Sequence, residues 1–459
     1  MKNLLNIWAG FLGFGIVYAL LQGHLSSAQS VVISLFVWML LWWTNQVVHY
    51  SVTALLPIVV LPLFGVASLK EVTTNYSNPV IYLFFGGFLL ALAVEKWDIH
   101  KRLALWLLSN FNKNLPSVFL AITLSSYFLS MWMSNTATAI MMLPLATALV
   151  STIRSQMPIA DRDEEKIFLT IAFSANIGGI ATLIGTPPNL VFSGFFNETF
   201  HQTIRFIDWF LIGFPLSVLL LIILYIILVP GDKKLFKEEI RERIRADYKR
   251  LPKMNRAQKR VLIIFSIVAL LWFIAPFIEV AVLNDTSTAI AGAVVLFMLP
   301  SGNKLSPRLL EWQDTKELSW GILLLFGAGL TMASMFEKTG LSAIISDFFK
   351  QSGSSKVLLT VLVVAFTVFS TEFMSNVALT GLMMPVVAAL ASGDKRIFFY
   401  TGMSVAMASS CAFMLPIATP PNAVAFGSGK IRMMTMMKAG LLLNAVSILL
   451  FSMLLFLSL

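Results

Sequence analysis

Two stretches of this chain, 117–150 and 357–392, are apolar almost throughout, yet each carries a polar pair at its middle, Ser134-Asn135 and Ser375-Asn376. Each stretch is too long for a single bilayer crossing. Each is also too short for two: the arms on either side of the pair hold about 14 to 17 residues, near 21 to 26 Å of helix, against a hydrocarbon core of about 30 Å. The arrangement that satisfies both limits is a re-entrant hairpin, which dips in and returns to the side it came from. Non-helical backbone at that depth is tolerated only where it is buried in protein or lines a cavity. The two stretches are also copies. SNTATAIMMLP starts at Ser134 and SNVALTGLMMP at Ser375, 375 − 134 = 241 residues apart, and Pro144 matches Pro385.

Of the 459 residues, 58% are hydrophobic and 12% charged. Soluble domains carry about 25% charged residues, so the chain reads as an all-α integral membrane protein. Apolar runs predict helices near 4–21, 30–45, 48–66, 79–95, 165–195, 206–229, 261–279, 286–300, 318–337, 397–427 and 439–458. These are eleven transmembrane helices, with the two hairpins besides. The first run shows no small-residue cleavage site and reads as a retained helix. The single cysteine, Cys411, excludes an intramolecular disulfide and a multi-cysteine metal site. The four histidines lie near segment ends and read as interfacial residues. The net charge of +10 needs no nucleic acid to explain it, because residues 231–260 hold twelve Lys/Arg against five Asp/Glu. Such a basic amphipathic segment suits an anionic cytoplasmic lipid surface.

Charge also orients the chain. With the N-terminus inside, eleven crossings, one hairpin entering from inside and the other from outside, cytoplasmic segments collect 26 of the 33 Lys/Arg and external ones 7. Turning either hairpin into a full crossing would spoil that bias. The chain therefore divides into an extra helix (1–29), a first repeat (30–230), a basic linker (231–257) and a second repeat of opposite orientation (258–459). The C-terminus falls outside. Further matches support the duplication: Thr53-Ala54-Leu55 with Thr288-Ala289-Ile290, Phe85-Gly86-Gly87 with Phe326-Gly327-Ala328, and Thr186-Pro187-Pro188-Asn189 with Thr419-Pro420-Pro421-Asn422. Inverted repeats with helices broken at corresponding positions are the sequence mark of a secondary transporter's binding site.

Successive prolines inside an apolar span delete backbone donors, so 165–195 and 397–427 are predicted to be broken helices. The freed carbonyls of Ile184, Gly185 and Thr186, and of Ile417, Ala418 and Thr419, are oxygen ligands for a small cation. At the hairpin tips, Asn offers an amide oxygen and two donors, and Ser and Thr offer hydroxyls. One set of residues can therefore hold a cation through oxygen and an anion through N–H and O–H. A lone Ser-Asn-Thr would be read as small polar packing between helices; two copies at the centres of two hairpins favour ligand contact. No Lys or Arg occurs in 114–153, 167–204, 357–394 or 397–429, and the acidic residue well inside these stretches is Glu372. An anion bound there cannot lean on a basic side chain. Cations bound beside it make its charge tolerable in low dielectric, which couples the two ligands. Glu372 is expected to cap its hairpin tip by hydrogen bonding.

SNTATAIMMLP, IGTPPN, TEFMSN and CAFMLPIATPPNAVAFGSG together resemble the divalent anion:sodium symporter family, the INDY-type dicarboxylate transporters with their citrate and sulfate relatives. The resemblance covers nearly the whole chain. It implies sodium as the coupling ion with no other cofactor, a homodimer in the cell (inner) membrane, and an elevator-type motion. The arms 98–113 and 341–351 would be its hinges. It implies one sodium site at Ser130, Ser134, Asn135 and Gly185 and a second at Thr371, Met374, Asn376 and Ala418. Substrate carboxylates would meet Ser134, Asn135 and Thr136 on one side and Ser375 and Asn376 on the other, with Thr186, Pro187, Thr419 and Pro420 lining the cavity. The chain departs from the family at Val377, where many members have threonine, which puts the choice of substrate in question.

The leading expectation is sodium-coupled uptake of a C4-dicarboxylate such as succinate, malate or fumarate. The alternatives are a sodium-independent dicarboxylate or tartrate exchanger on the same fold, and sulfate or citrate as substrate. A channel would need a continuous polar pore, whereas the polar residues here gather at one depth. An enzyme would need a nucleophile, a base or a metal set, and the polar centre offers none.

Overall fold

The computed structural model describes residues 2–45, 47–277, 284–344, 347 and 355–457, and every regular element among them is a helix. The first two, α1 (Lys2–Leu21) and α2 (Ser27–Asn45), pack on one another. The single helix expected over 48–66 is instead two, α3 (Tyr50–Thr53) and α4 (Leu56–Leu63). Pro57 causes the break. In the first turn of α4 its missing N–H costs nothing, whereas in a continuous helix it would leave the Thr53 carbonyl without a donor and crowd it with the ring. The interruption strands the Ala54 carbonyl, and Tyr76 Oη donates to it at 2.5 Å. The matching segment Thr288-Ala289-Ile290 has no proline and stays inside one helix.

Next come α5 (Leu69–Asn75), α6 (Pro79–Lys96) and the short arm α7 (Ile99–Asn110). The first hairpin is α8 (Leu115–Ser130), opened by a reciprocal Asn114–Ser117 cap, followed by α9 (Asn135–Arg154). Its second arm runs to 20 residues, longer than the sequence suggested, because Ser151–Arg154 extend the helix beyond the apolar run. The first broken helix is α10 (Asp161–Ala181) and α11 (Pro187–Phe200). Every residue from Ile167 to Ala181 is buried, so α10 is the central post of the molecule. Then follow α12 (Phe206–Leu228), α13 (Glu238–Lys249), α14 (Arg256–Ile274), α15 (Asp285–Met298) and α16 (Trp320–Lys338). The basic linker helix α13 turns Ile240 and Ile244 onto α7 and α9, so its apolar side is spent on protein.

The second hairpin is α17 (Lys356–Ser370) and α18 (Asn376–Ala391). The second broken helix is α19 (Lys395–Ser409) and α20 (Pro420–Gly427), and α21 (Met433–Ser452) closes the chain. The second arm expected at 341–351 lies largely outside the described residues. Among the described residues, six helical segments are long and apolar enough to cross a membrane, the longest being 69–96 and 206–228. The larger hydrophobic cluster runs through both hairpins and both broken helices and on to α6, α14 and α15. A smaller one joins α2–α5 to α16 and takes in Ala378 and Leu382 of α18.

Close approaches depend on glycine at two crossings. A Cβ on Gly86 would lie 2.7 Å from the Ala289 Cβ, so α6 and α15 touch backbone to backbone. A Cβ on Gly178 would lie 2.3 Å from the Tyr127 carbonyl oxygen, which seats α10 against α8. At the α13 end of the bundle, the buried Glu164 pairs with Arg154 at 2.7 Å and Lys430 at 3.0 Å, and Glu165 pairs with Arg432. Three acids in the first turn of α10 also favour its N-terminus electrostatically.

Candidate functional site

The two hairpins and the two broken helices interlock. The return helix of each hairpin packs on the second half of the other repeat's broken helix, α9 on α20 and α18 on α11. All four of these helices begin at a cavity of about 990 Å³. Ser134, Asn135, Thr136, Gly185, Thr186 and Pro187 line it from the first repeat. From the second come Met374, Ser375, Asn376, Val377, Ala418, Thr419 and Pro420. Asn176 of α10, with Trp43, Tyr50, Glu95, Glu317 and Ser319, is among the other residues that line it.

Of the candidate cation ligands, Ser130 and Thr371 do not reach this cavity. Each is fully buried behind its tip and holds the amide oxygen of the tip asparagine. Ser130 Oγ donates to Asn135 Oδ1 at 2.6 Å, and Thr371 Oγ1 to Asn376 Oδ1 at 2.9 Å. The matching hydroxyls thus gather oxygens in equivalent places, as the duplication predicts. Gly179 completes the first nook, since a Cβ there would lie 2.7 Å from Asn135 Oδ1. These donors are neutral oxygens, which suit a small hard cation rather than a transition metal.

The breaks begin earlier than the proline pairs suggested. Helix α10 ends at Ala181 and α19 at Ser409, while Pro187-Pro188 and Pro420-Pro421 start the second halves, where proline is favoured. The breaks also differ in length, since 182–186 is half the length of 410–419. An asparagine that the sequence left without a role staples each. Asn189 Nδ2 donates to the carbonyls of Gly179 at 3.0 Å and Thr182 at 2.8 Å. Asn422 Nδ2 donates to those of Ala412 at 2.9 Å and Leu415 at 3.0 Å. The signal was present in the sequence, as each Pro-Pro is followed by Asn.

Glu372 does not cap its own tip. Its carboxylate accepts from the backbone N–H groups of Phe413, Met414 and Leu415 at 2.9, 2.9 and 3.0 Å, and from Asn444 Nδ2 at 2.8 Å. It therefore fastens the second hairpin to the neighbouring break. Met131 holds the corresponding place in the first repeat, where its carbonyl accepts from Thr182 Oγ1 at 2.5 Å.

The electrostatics include a contribution that side-chain composition hides. Ser134 and Ser375 are the N-cap residues of α9 and α18, and neither side chain caps its helix. The first-turn amides of both helices, with the positive end of each helix dipole, therefore face the cavity unspent. This is the standard setting for anion binding without a basic residue. Neutral oxygens behind the tips and free N–H groups at them can hold cations and an anion side by side.

Comparison with known proteins gives the family. Residues 9–458 match the family described as sodium:sulfate symporter transmembrane region. A Staphylococcus saprophyticus protein named sodium-dependent dicarboxylate transporter SdcS is 32% identical over 97% of this chain and 89% of its own length. Its Staphylococcus aureus namesake is 32% identical over 91% of this chain and 83% of its own length. Among solved structures, the Alcanivorax borkumensis YdaH transporter superposes with a TM-score of 0.53 at 14% identity, covering 93% of this chain and 97% of that one, a likeness of fold alone. The resemblance drawn from the motifs is borne out: the chain belongs to the sodium:sulfate symporter family, multi-pass membrane transporters rather than enzymes.

Proposed function

We propose that this protein couples sodium to the uptake of a C4-dicarboxylate such as succinate, malate or fumarate. The observation that carries the reading is the pair of asparagine tips, each backed by a hydroxyl, facing one cavity whose centre has no basic side chain. Sodium held by Ser130, Ser134, Asn135 and Gly185, and by Thr371, Met374, Asn376 and Ala418, would sit on either side of the anion. Its carboxylates would meet the free amides and hydroxyls at Ser134–Thr136 and Ser375–Asn376. The names of the staphylococcal relatives support the same assignment.

The intact set of cation oxygens argues against a sodium-independent exchanger, and the names of the staphylococcal relatives favour a dicarboxylate over sulfate. In this reading the hairpins are re-entrant, the chain is a homodimer in the cell membrane with the N-terminus inside, and α8–α12 with α17–α21 form the moving part of an elevator. Radiolabelled succinate uptake into proteoliposomes tests it. An inward sodium gradient is expected to drive accumulation, and equal uptake with and without sodium overturns the proposal.

A further inference from the structure

The two repeats are not equivalent at the residue that precedes each proline pair. Thr186 is the N-cap of α11, and its side chain makes no capping bond. Thr419, its partner by duplication, is fully engaged. Its Oγ1 accepts from the Asn422 N–H at 3.3 Å and from Asn176 Nδ2 at 3.2 Å. A hydroxyl has two acceptor sites and one proton. With both acceptor sites filled, the Thr419 proton must go elsewhere, and Thr419 lines the cavity.

Asn176 comes from the other repeat, in the buried middle of α10, and is 1% exposed. Its orientation follows from the network. Asn422 commits Nδ2 to two carbonyls, so it turns Oδ1 toward Asn176, which must answer with Nδ2, at 3.4 Å; the same nitrogen lies 3.5 Å from the Ala412 carbonyl, and Thr419 Oγ1 is the nearest of its three acceptors. Asn176 Oδ1 is left buried with no hydrogen-bond partner among the described residues. Such an orphan in a native interior calls for a reason. Nothing comparable occurs at the matching position of the second repeat. Ser409 Oγ is occupied within its own repeat by Thr380 Oγ1, at 2.7 Å.

We infer that Asn176 is a positioning residue for substrate: by donating across the repeat boundary it fixes the Thr419 hydroxyl as an obligate donor to one carboxylate of the bound dianion. This rests on the proposed dicarboxylate function and deepens it. The cavity then grips its substrate asymmetrically, with one directed O–H on the second repeat against a freely turning Thr186 on the first.

A double-mutant cycle on purified full-length protein in proteoliposomes tests this. At saturating sodium, Thr419→Ala is expected to raise the succinate KM about tenfold, the scale of one hydrogen bond to a charged group. Asn176→Ala is expected to raise KM by a similar factor, and to have no further effect in the Thr419→Ala background. Thr419→Ser, which keeps the hydroxyl, should stay within about twofold of wild type. Half-saturating sodium, measured with succinate well above each variant's KM, should be unchanged throughout, which a general loosening of the fold would not allow. Where Asn176→Ala does not survive purification, Asn176→Ser, too short to reach Thr419, makes the same comparison. Independent, additive effects of the two substitutions, or an unchanged KM in the Asn176 variant, overturn the inference. The wild type separates the two readings. Uptake indifferent to sodium removes the coupling, while the cycle is scored on KM at fixed sodium and stands or falls by itself.

Discussion

Four asparagines of the centre divide into two kinds, and the division can be tested by substitution. Asn135 and Asn376 present their amides to the cavity, so Asn135→Ala and Asn376→Ala should abolish sodium-driven uptake while the protein still purifies as a folded species. Retained uptake in both variants would remove these residues from the site. Asn189 and Asn422 instead satisfy carbonyls released by the breaks. Removing either takes the side-chain donor from two buried carbonyls, of which Thr182, Leu415 and Ala412 keep another in the Gly185 N–H, the Ala418 N–H and Asn176 Nδ2, so the loss is about 0.5–1.5 kcal/mol per bond. Asn422→Ala and Asn189→Ala should therefore lower the melting temperature in detergent, and a melting curve that matches wild type contradicts the staple. Val377 faces the same cavity without a hydroxyl. Val377→Thr is expected to reorder competition among succinate, malate and fumarate, with the sodium dependence left in place; an unchanged competition profile counts against a role for this residue.

At the scale of elements, the sequence disclosed the hairpins, the breaks and their pairing, because a polar group at membrane depth stands out against an apolar background. It disclosed less about where helices stop. Pro57 ended a helix that composition alone continued, and Ser151–Arg154 prolonged α9 past its apolar run. It also hid what depends on contacts between distant residues: the grip of Glu372 on the neighbouring break, and the reach of Asn176 across the repeats. The Gly86–Ala289 crossing was not visible at all, because the two residues belong to different matched triplets. Gly86→Leu should prevent α6 and α15 from closing, and should be read as loss of folded protein on size-exclusion chromatography, whereas a monodisperse variant would show that the crossing can open. On the arm α7, burial pushes the His100 imidazole below its ordinary value of 6.5. The unfolded chain then binds the proton more readily than the folded one, so stability holds above about pH 6.5 and declines as pH falls below it. His100→Gln should flatten that slope in thermal melts between pH 5 and 7, roughly the range in which histidine titrates; an unaltered slope assigns it to other groups.

At the scale of the whole molecule, the hairpins and broken helices form one interlocked body around α10, and α16 meets it through small residues. A Cβ on Gly194 of α11 would lie 2.7 Å from Leu330 of α16. The exposed Ser319, at the start of α16, belongs to the cavity wall away from the tips. The single native thiol, Cys411, is fully buried, so Ser319→Cys supplies an accessible one against a quiet background. Labelling by a water-soluble maleimide should be fast in the empty protein and slowed by sodium and succinate together, and a rate indifferent to both would separate this part of the cavity from the transport cycle. The chemistry of the tips has one more consequence, for acidity. Amides and hydroxyls keep the same charge between about pH 6 and 8. At the tips, then, acid acts on the passenger's own second ionisation and not on the carrier; the ionisable His49, Glu95 and Glu317 stand elsewhere on the cavity wall.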